Sequence, residues 1–257
     1  MEPRPPKLRL DALLVERGLV ASRERARAII LAGDVRVNGA VVSKAGTAVA
    51  SNARLDLRQP DHPWVGRGGL KLAHALEAFA LDVGGATALD IGASTGGFTD
   101  VLLARGAARV VALDVGQAQL DWKLRTDTRV ICLEGINARY LTADQLPADA
   151  RAFDVVTIDV SFISLRHILP VVPPLLRPGG RVVALVKPQF EAGRDDVGKG
   201  GIVRDPAIHA RVVEEVTHAA HQIGLRRLAL VPSPIAGAEG NLEFLMLLSR
   251  APETGTV

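Results

Sequence analysis

Residues 89–97, LDIGASTGG, combine residue types whose spacing suits two different chemistries. Gly92, Ser94 and Gly96 match G-x-S-x-G, the turn that exposes a serine nucleophile in α/β hydrolases. The same residues match a glycine-rich turn that cradles a nucleotide-like cofactor. A nucleophile elbow normally follows several strands of its own sheet, whereas this turn follows the first. No HGGG-like oxyanion stretch precedes it. His209, His218 and His221 follow in triad order, but all fall in one helical stretch, and a triad histidine usually sits on a loop at the strand ends. His218 and His221 stand three residues apart, which suits a metal pair, yet no carboxylate or cysteine pattern completes it. No metal is expected.

The cofactor reading agrees with position, because a glycine-rich turn between the first strand and its helix is where an α/β sheet binds a nucleotide. Asp114 ends the second strand, 22 residues after Gly92, where a carboxylate can accept from ribose hydroxyls. NAD fits that much. Ser94, however, replaces the middle glycine of G-x-G-x-x-G, and Asp90 stands just before the turn. A carboxylate there repels a pyrophosphate. It suits a phosphate-free, positively charged cofactor such as S-adenosylmethionine.

The elements around this turn alternate. GGLKLAHALEAF is amphipathic. TALDI, ARVVALD, RVICLE, FDVVTIDV and GRVVALVK read as short apolar strands, with helical patterns between most of them, notably at 97–105 and 165–176. DPAIHARVVEEVTHAAHQIG reads as a long helix, and RRLALVP and EFLMLLS as two further strands. The pattern predicts an α/β, Rossmann-like fold whose mainly parallel sheet ends in one antiparallel strand. Cys132 lies in an apolar run and is expected in the core. PQFEAGRDDVGKGGIVR, with four glycines and no period, reads as a mobile substrate-facing loop.

Residues 7–59 form a separate small α+β unit. RLDALLVERG and ASRERARAIILAGD are short helices, the second with Ser22 as N-cap. VRVNGAVV turns at Asn38-Gly39, a hairpin signal, and ARLDL closes the unit. Residues 1–66 carry 11 Lys/Arg against 7 Asp/Glu, a net of +4, and the remainder carries 20 against 21. The positive charge is thus concentrated in the first quarter, as a nucleic-acid-facing unit requires. This stretch resembles the RNA-binding domain named after small-subunit ribosomal protein S-four. The resemblance implies contacts to structured RNA through Arg23, Arg25, Arg27, Arg36 and Lys44, with Arg67 added beyond the unit. Residues 60–66, which contain Pro60 and Pro63, read as a linker.

LDIGASTGGFTDVLLARGA resembles the first motif of FtsJ-type ribose methyltransferases. With GRGGLKL, DVSFISL, KPQFEAGRDDVGKGGIVRD and GNLEFL, the chain resembles the TlyA family over roughly residues 7–250. That family comprises 2′-O-methyltransferases of ribosomal RNA cytidines, also called hemolysins. The resemblance implies a seven-stranded methyltransferase domain over 67–250 and a Lys-Asp-Lys-Glu tetrad. By motif the tetrad falls on Lys71, Asp159, Lys187 and Glu243. The expected strand directions bring all four to one sheet edge. The cofactor would meet Asp90, Gly92, Ser94, Thr95, Gly96, Gly97, Phe98 and Asp114, with Asn137 framing the adenine. The partner would be ribosomal RNA or a ribosomal subunit.

Composition narrows the alternatives. A single cysteine excludes an internal disulfide and suits a reducing compartment. The N-terminus lacks the apolar core of a signal peptide, and no stretch approaches the ~18–20 apolar residues of a membrane span. These features oppose a pore-forming protein and fit a cytoplasmic one.

Overall fold

Strand β6 (Thr87–Ile91) is the middle of a seven-stranded sheet. The computed structural model describes residues 5–20, 22–57, 62–237 and 240–250, and divides into two units between Arg67 and Gly68. Pro60, within the expected linker, lies outside the described residues.

In the second unit β6 is flanked by β7 (Arg109–Asp114) and β9 (Phe153–Ile158), both parallel to it. β8 (Val130–Glu134) lies outside β7, and β10 (Leu176–Val186) outside β9. β11 (Leu225–Pro232) and β12 (Phe244–Arg250) complete the other edge, with β12 inserted between β10 and β11. β12 runs antiparallel to both neighbours, so it alone opposes the rest. The interior strands are apolar along their length because helices cover both faces. Leu89, Ile91, Val156, Ile158, Val182 and Val186 are fully buried in one cluster.

α3 (Gly68–Ala78) packs against α4 (Gly97–Ala104), and α7 (Pro206–Gln222) against β11. Two readings differ from the structure. The expected helix at 165–176 is a chain of three 3₁₀ turns, because Pro170, Pro173 and Pro174 lack the N–H an α-helix needs. Cys132 is only half-buried, because β8 is an edge strand.

In the first unit, α1 (Leu10–Glu16) and α2 (Arg23–Leu31) pack over Leu10, Leu14, Ile30 and Val35. Ser22 caps α2 by accepting from the Arg25 N–H at 3.2 Å. β2 (Val35–Val37) turns into β3 (Ala40–Val41) through Asn38 and Gly39, both at positive φ, as a type I′ turn requires. β5 (Leu55–Leu57) pairs with β2. An additional pair, β1 (Lys7–Arg9) with β4 (Ala48–Ala50), is too short to show a period in the sequence.

Candidate active site

The strand order reverses at β6, and the loops leaving β6, β7, β8 and β9 open there into a cleft of about 430 Å³. Gly92, Ser94, Asp114, Asn137 and Asp159 supply polar groups, and Leu113, Ile136 and Ile163 apolar ones. The turn after β6 is drawn across the sheet edge: the Gly92 and Ala93 N–H groups donate to Leu113 O. Gly92 has φ +84°, and a Cβ there would lie 2.4 Å from Asp159 O. Glycine therefore lets the turn reach the neighbouring strand end. Ser94, at φ +49°, donates its N–H to Asp114 Oδ2 at 2.8 Å, and Gly116 donates to Oδ1 at 2.7 Å. Asp114 is thereby locked at the cleft wall with lone pairs to spare.

Asp90, Thr95, Gly96, Gly97 and Phe98 are not among the residues lining this cleft. Phe98 is buried at the start of α4, and Gly96 is packed against Leu124 and Leu120. Asp90 is fully buried beneath the turn. Thr99 Oγ1 donates to its Oδ2 at 2.7 Å and Thr157 Oγ1 to its Oδ1 at 2.8 Å. Both oxygens thus accept from threonine hydroxyls, beneath the turn expected to hold the cofactor.

Burial pushes the Asp90 carboxyl up to about 6, against the pull of the two threonines. An unfolded carboxyl titrates near ~3.9, so the folded protein keeps this proton longer. Its contribution to stability is greatest below pH ~4, falls as pH rises to about 6, and is flat above. Asp90→Asn keeps the shape without the charge. It is expected to raise stability at pH 8 by up to about 3 kcal/mol and to flatten the pH 4–6 decline. Thermal melts across pH check this; a lower melting temperature at pH 8 would refute it.

Glu134, at the end of β8, orders the loop beside the cleft. It accepts from the Ala118 and Gln119 N–H groups at 2.9 and 3.1 Å and from Arg125 at 2.5 Å. Burial pushes its carboxyl up, but these donors outweigh burial and hold it at about 2.

Two lysine–carboxylate pairs stand at the same sheet edge. Lys187 Nζ lies 2.6 Å from Asp159 Oδ1 and donates to Ser161 Oγ at 3.0 Å. The Asp159 contact is a close ion pair between ammonium and carboxylate. Lys71, on α3, meets Glu243 Oε2 at 2.5 Å. Both lysine side chains are about nine-tenths buried. Burial pushes the Asp159 carboxyl up, but the Lys187 and Lys71 ammoniums outweigh it and hold the group below the ordinary carboxylate range. The four residues of the expected tetrad thus form two ion pairs, and Lys71 is close enough to act on Asp159.

Sequence reasoning missed the supports. Asn241, 2% exposed, donates to Gly201 O and accepts from the Val203 N–H. It ties the glycine-rich segment to the strand carrying Glu243. The expected mobile loop contains α6 (Pro188–Glu191), a 3₁₀ turn at Arg194–Asp196 and a Gly198–Ile202 bridge. His209 is buried and bonds Val203 O, while His218 and His221 are exposed.

In the first unit Arg9, Arg23 and Arg27 converge on the fully buried Asp11, at 3.0, 3.1 and 3.3 Å. Each guanidinium remains about half exposed. Arg9 was not expected there. Arg25 is half-buried; Arg36 and Lys44 lie exposed further along the unit, and Arg67 is exposed at its end.

A strand order of this kind, with an acidic nucleoside-sized cleft at the switch point and lysine–carboxylate pairs on its edge, defines a methyltransferase-type α/β domain. Residues 64–250 match the FtsJ-like methyltransferase family and residues 8–55 the S4 domain. The chain is 46% identical to the 16S/23S rRNA (cytidine-2′-O)-methyltransferase TlyA of Mycobacterium tuberculosis, over 94% of this chain and 90% of that one. It is 40% identical to Hemolysin A of Brachyspira hyodysenteriae, over 93% and 98%. A solved structure of a hemolysin-named protein from Streptococcus thermophilus superposes with TM-score 0.74 at 46% identity, over 96% of this chain and 89% of that one. The chain belongs to the TlyA family. Among the described residues no helix is long and apolar enough to cross a membrane.

Proposed function

We propose that the chain methylates the 2′-oxygen of a cytidine in ribosomal RNA, 16S, 23S or both, with S-adenosylmethionine as methyl donor. The observation that carries this reading is the pair of buried lysine–carboxylate contacts beside an acidic cleft. The cleft lining includes Asp114 and Asp159 but no lysine or arginine. Such a site repels phosphate and suits a cationic nucleoside, and its size fits one. Asp114 would take the ribose hydroxyls, and the Gly92–Ser94 turn and Asn137 would frame the rest. Thr95, Gly96, Gly97 and Phe98 shape that turn from behind.

Bound S-adenosylmethionine supplies a methyl group on a positively charged sulfur, an electrophile that needs little activation. The residues of this chain must then hold the ribose and manage one proton. Lys187 is assigned to the attacking hydroxyl, taking its proton or, as the ammonium, stabilising the developing alkoxide. Asp159 and Ser161 orient Lys187. Glu243 fixes Lys71, whose ammonium holds the ribose or a neighbouring phosphate. Arg9, Arg23 and Arg27 of the S4 domain, with Arg25, Arg36, Lys44 and Arg67, would hold RNA phosphates, whose recognition is electrostatic and salt-dependent. A ribosomal substrate goes with a cytoplasmic location.

The test is transfer of labelled methyl to unmodified small and large ribosomal subunits and to free RNA. Label on RNA at a site that resists alkaline cleavage is the expected result, because a methylated 2′-oxygen cannot attack its phosphate. Cofactor binding with no label on any RNA would favour a non-catalytic assembly factor.

A further inference from the structure

The strand ladder does not by itself set the spacing of Asp159 and Lys187. β9 and β10 pair in parallel only as far as Ile158 and Ala184. Both functional residues lie just beyond that point: Val186 still pairs with Phe244 of β12 and the Asp159 N–H donates to Ile91 O, but the direct pairing of β9 with β10 has ended. Each backbone is held there by its other neighbour, so contacts between the two segments decide how the Asp159 and Lys187 side chains meet. Lys187 touches Asp159 and Ser161. Phe190 stacks on Phe162 with ring centroids 5.1 Å apart. Arg166 donates to the Glu191 carbonyl at 3.0 Å, and the Glu191 side chain makes a further contact.

Glu191 closes α6 and is 5% exposed. Its Oε2 accepts from Ser164 Oγ at 2.5 Å and its Oε1 from the Leu165 N–H at 2.6 Å. Ser164 Oγ also accepts from the Arg166 N–H and from Arg166 Nε, each at 3.1 Å. Those two donors occupy its lone pairs, so its one proton is committed to Glu191. Both carboxylate oxygens are therefore needed as acceptors. The nearest charge is Arg166 Nε, 3.7 Å from Oε2, and burial pushes the carboxyl above its ordinary range. A buried carboxylate adds little net stability even when it is paired, which points to a geometric role.

We propose that Glu191 is a positioning residue. Its carboxylate clamps the loop after β9 to the segment after β10, and so keeps Asp159 and Lys187 in contact. This rests on the reading of those two residues as the reacting pair. In Glu191→Gln one acceptor becomes an amide that faces an oxygen with no free lone pair. Expected is a fall in kcat of about 10–100-fold, with cofactor Kd and the KM for ribosomal RNA within about 2-fold of wild type. Amide exchange should quicken at residues 160–165 and stay unchanged in β6 and α7. Ser164→Ala should act likewise, and the double variant should be no slower than the worse single one. A kcat within about 2-fold of wild type with unchanged exchange would overturn the proposal. So would parallel losses of kcat and cofactor affinity with faster exchange throughout the domain. If the wild-type protein methylates no ribosomal RNA, the proposed function falls, and exchange at 160–165 still decides the clamp.

Discussion

Lys187→Ala is expected to lower kcat for methyl transfer by about 10³-fold or more while leaving cofactor affinity within a few-fold. The two effects separate because Lys187 stands beside Asp159 and Ser161 but is not part of the cleft lining. Removing it takes away the group assigned to the hydroxyl proton. It also leaves Asp159 with Lys71 as its remaining cationic neighbour. Calorimetry with the demethylated cofactor product, beside single-turnover transfer to ribosomal subunits, separates binding from chemistry. Substantial residual activity would remove Lys187 from the reaction. Equal loss of binding and rate would give it a structural role instead.

Gly92→Ala is the second large effect. An alanine Cβ would lie 2.4 Å from Asp159 O and 3.3 Å from Val160 Cγ1, at a φ of +84°. The left-handed backbone costs a non-glycine residue roughly 1–2 kcal/mol, and forcing extra atoms into a packed site roughly 1–3 more. The carbonyl it strikes belongs to the residue paired with Lys187, so relief of the clash moves the reacting pair. The melting temperature should fall by roughly 5–15 °C and cofactor affinity by about 100-fold or more. Gly200→Ala is the control, with φ +82° and nothing within 4 Å of the added atom. It isolates the backbone cost. If both variants behave alike, close approach at Gly92 is not what shapes the cleft.

Much of the architecture was legible because a parallel sheet covered on both faces forces its strands to be apolar runs. TALDI, FDVVTI and the strands near them announce themselves, and the direction of each follows from the helix between. The tetrad was legible by resemblance, with strand directions accounting for its convergence at one edge. What escaped was set by pairings distant in sequence. Nothing near Asp90 in the sequence indicates that Thr157, 67 residues away, donates to one of its oxygens. Arg9 joins Arg23 and Arg27 only because Asp11 is buried between two helices. Asn241 and Glu191 are polar residues in glycine-rich surroundings, where composition suggests a loose loop; their partners lie 38 and 26 residues away. Pro170, Pro173 and Pro174 were visible, and they override the helical spacing of the apolar residues around them.

The insertion of β12 between β10 and β11 bears on how the protein is made. β11 precedes β12 in the chain, yet its hydrogen-bonding neighbour in the sheet is β12. As the chain emerges from a ribosome, β11 has no partner in the sheet until the strand that follows it has been translated. That same strand starts beside Glu243, which holds Lys71. A nascent chain therefore cannot assemble its second lysine–carboxylate pair before its sheet is completed. The contact that fixes Lys71 thus waits on Glu243, 172 residues further along the chain, so the two lysine–carboxylate pairs become available at different stages of synthesis.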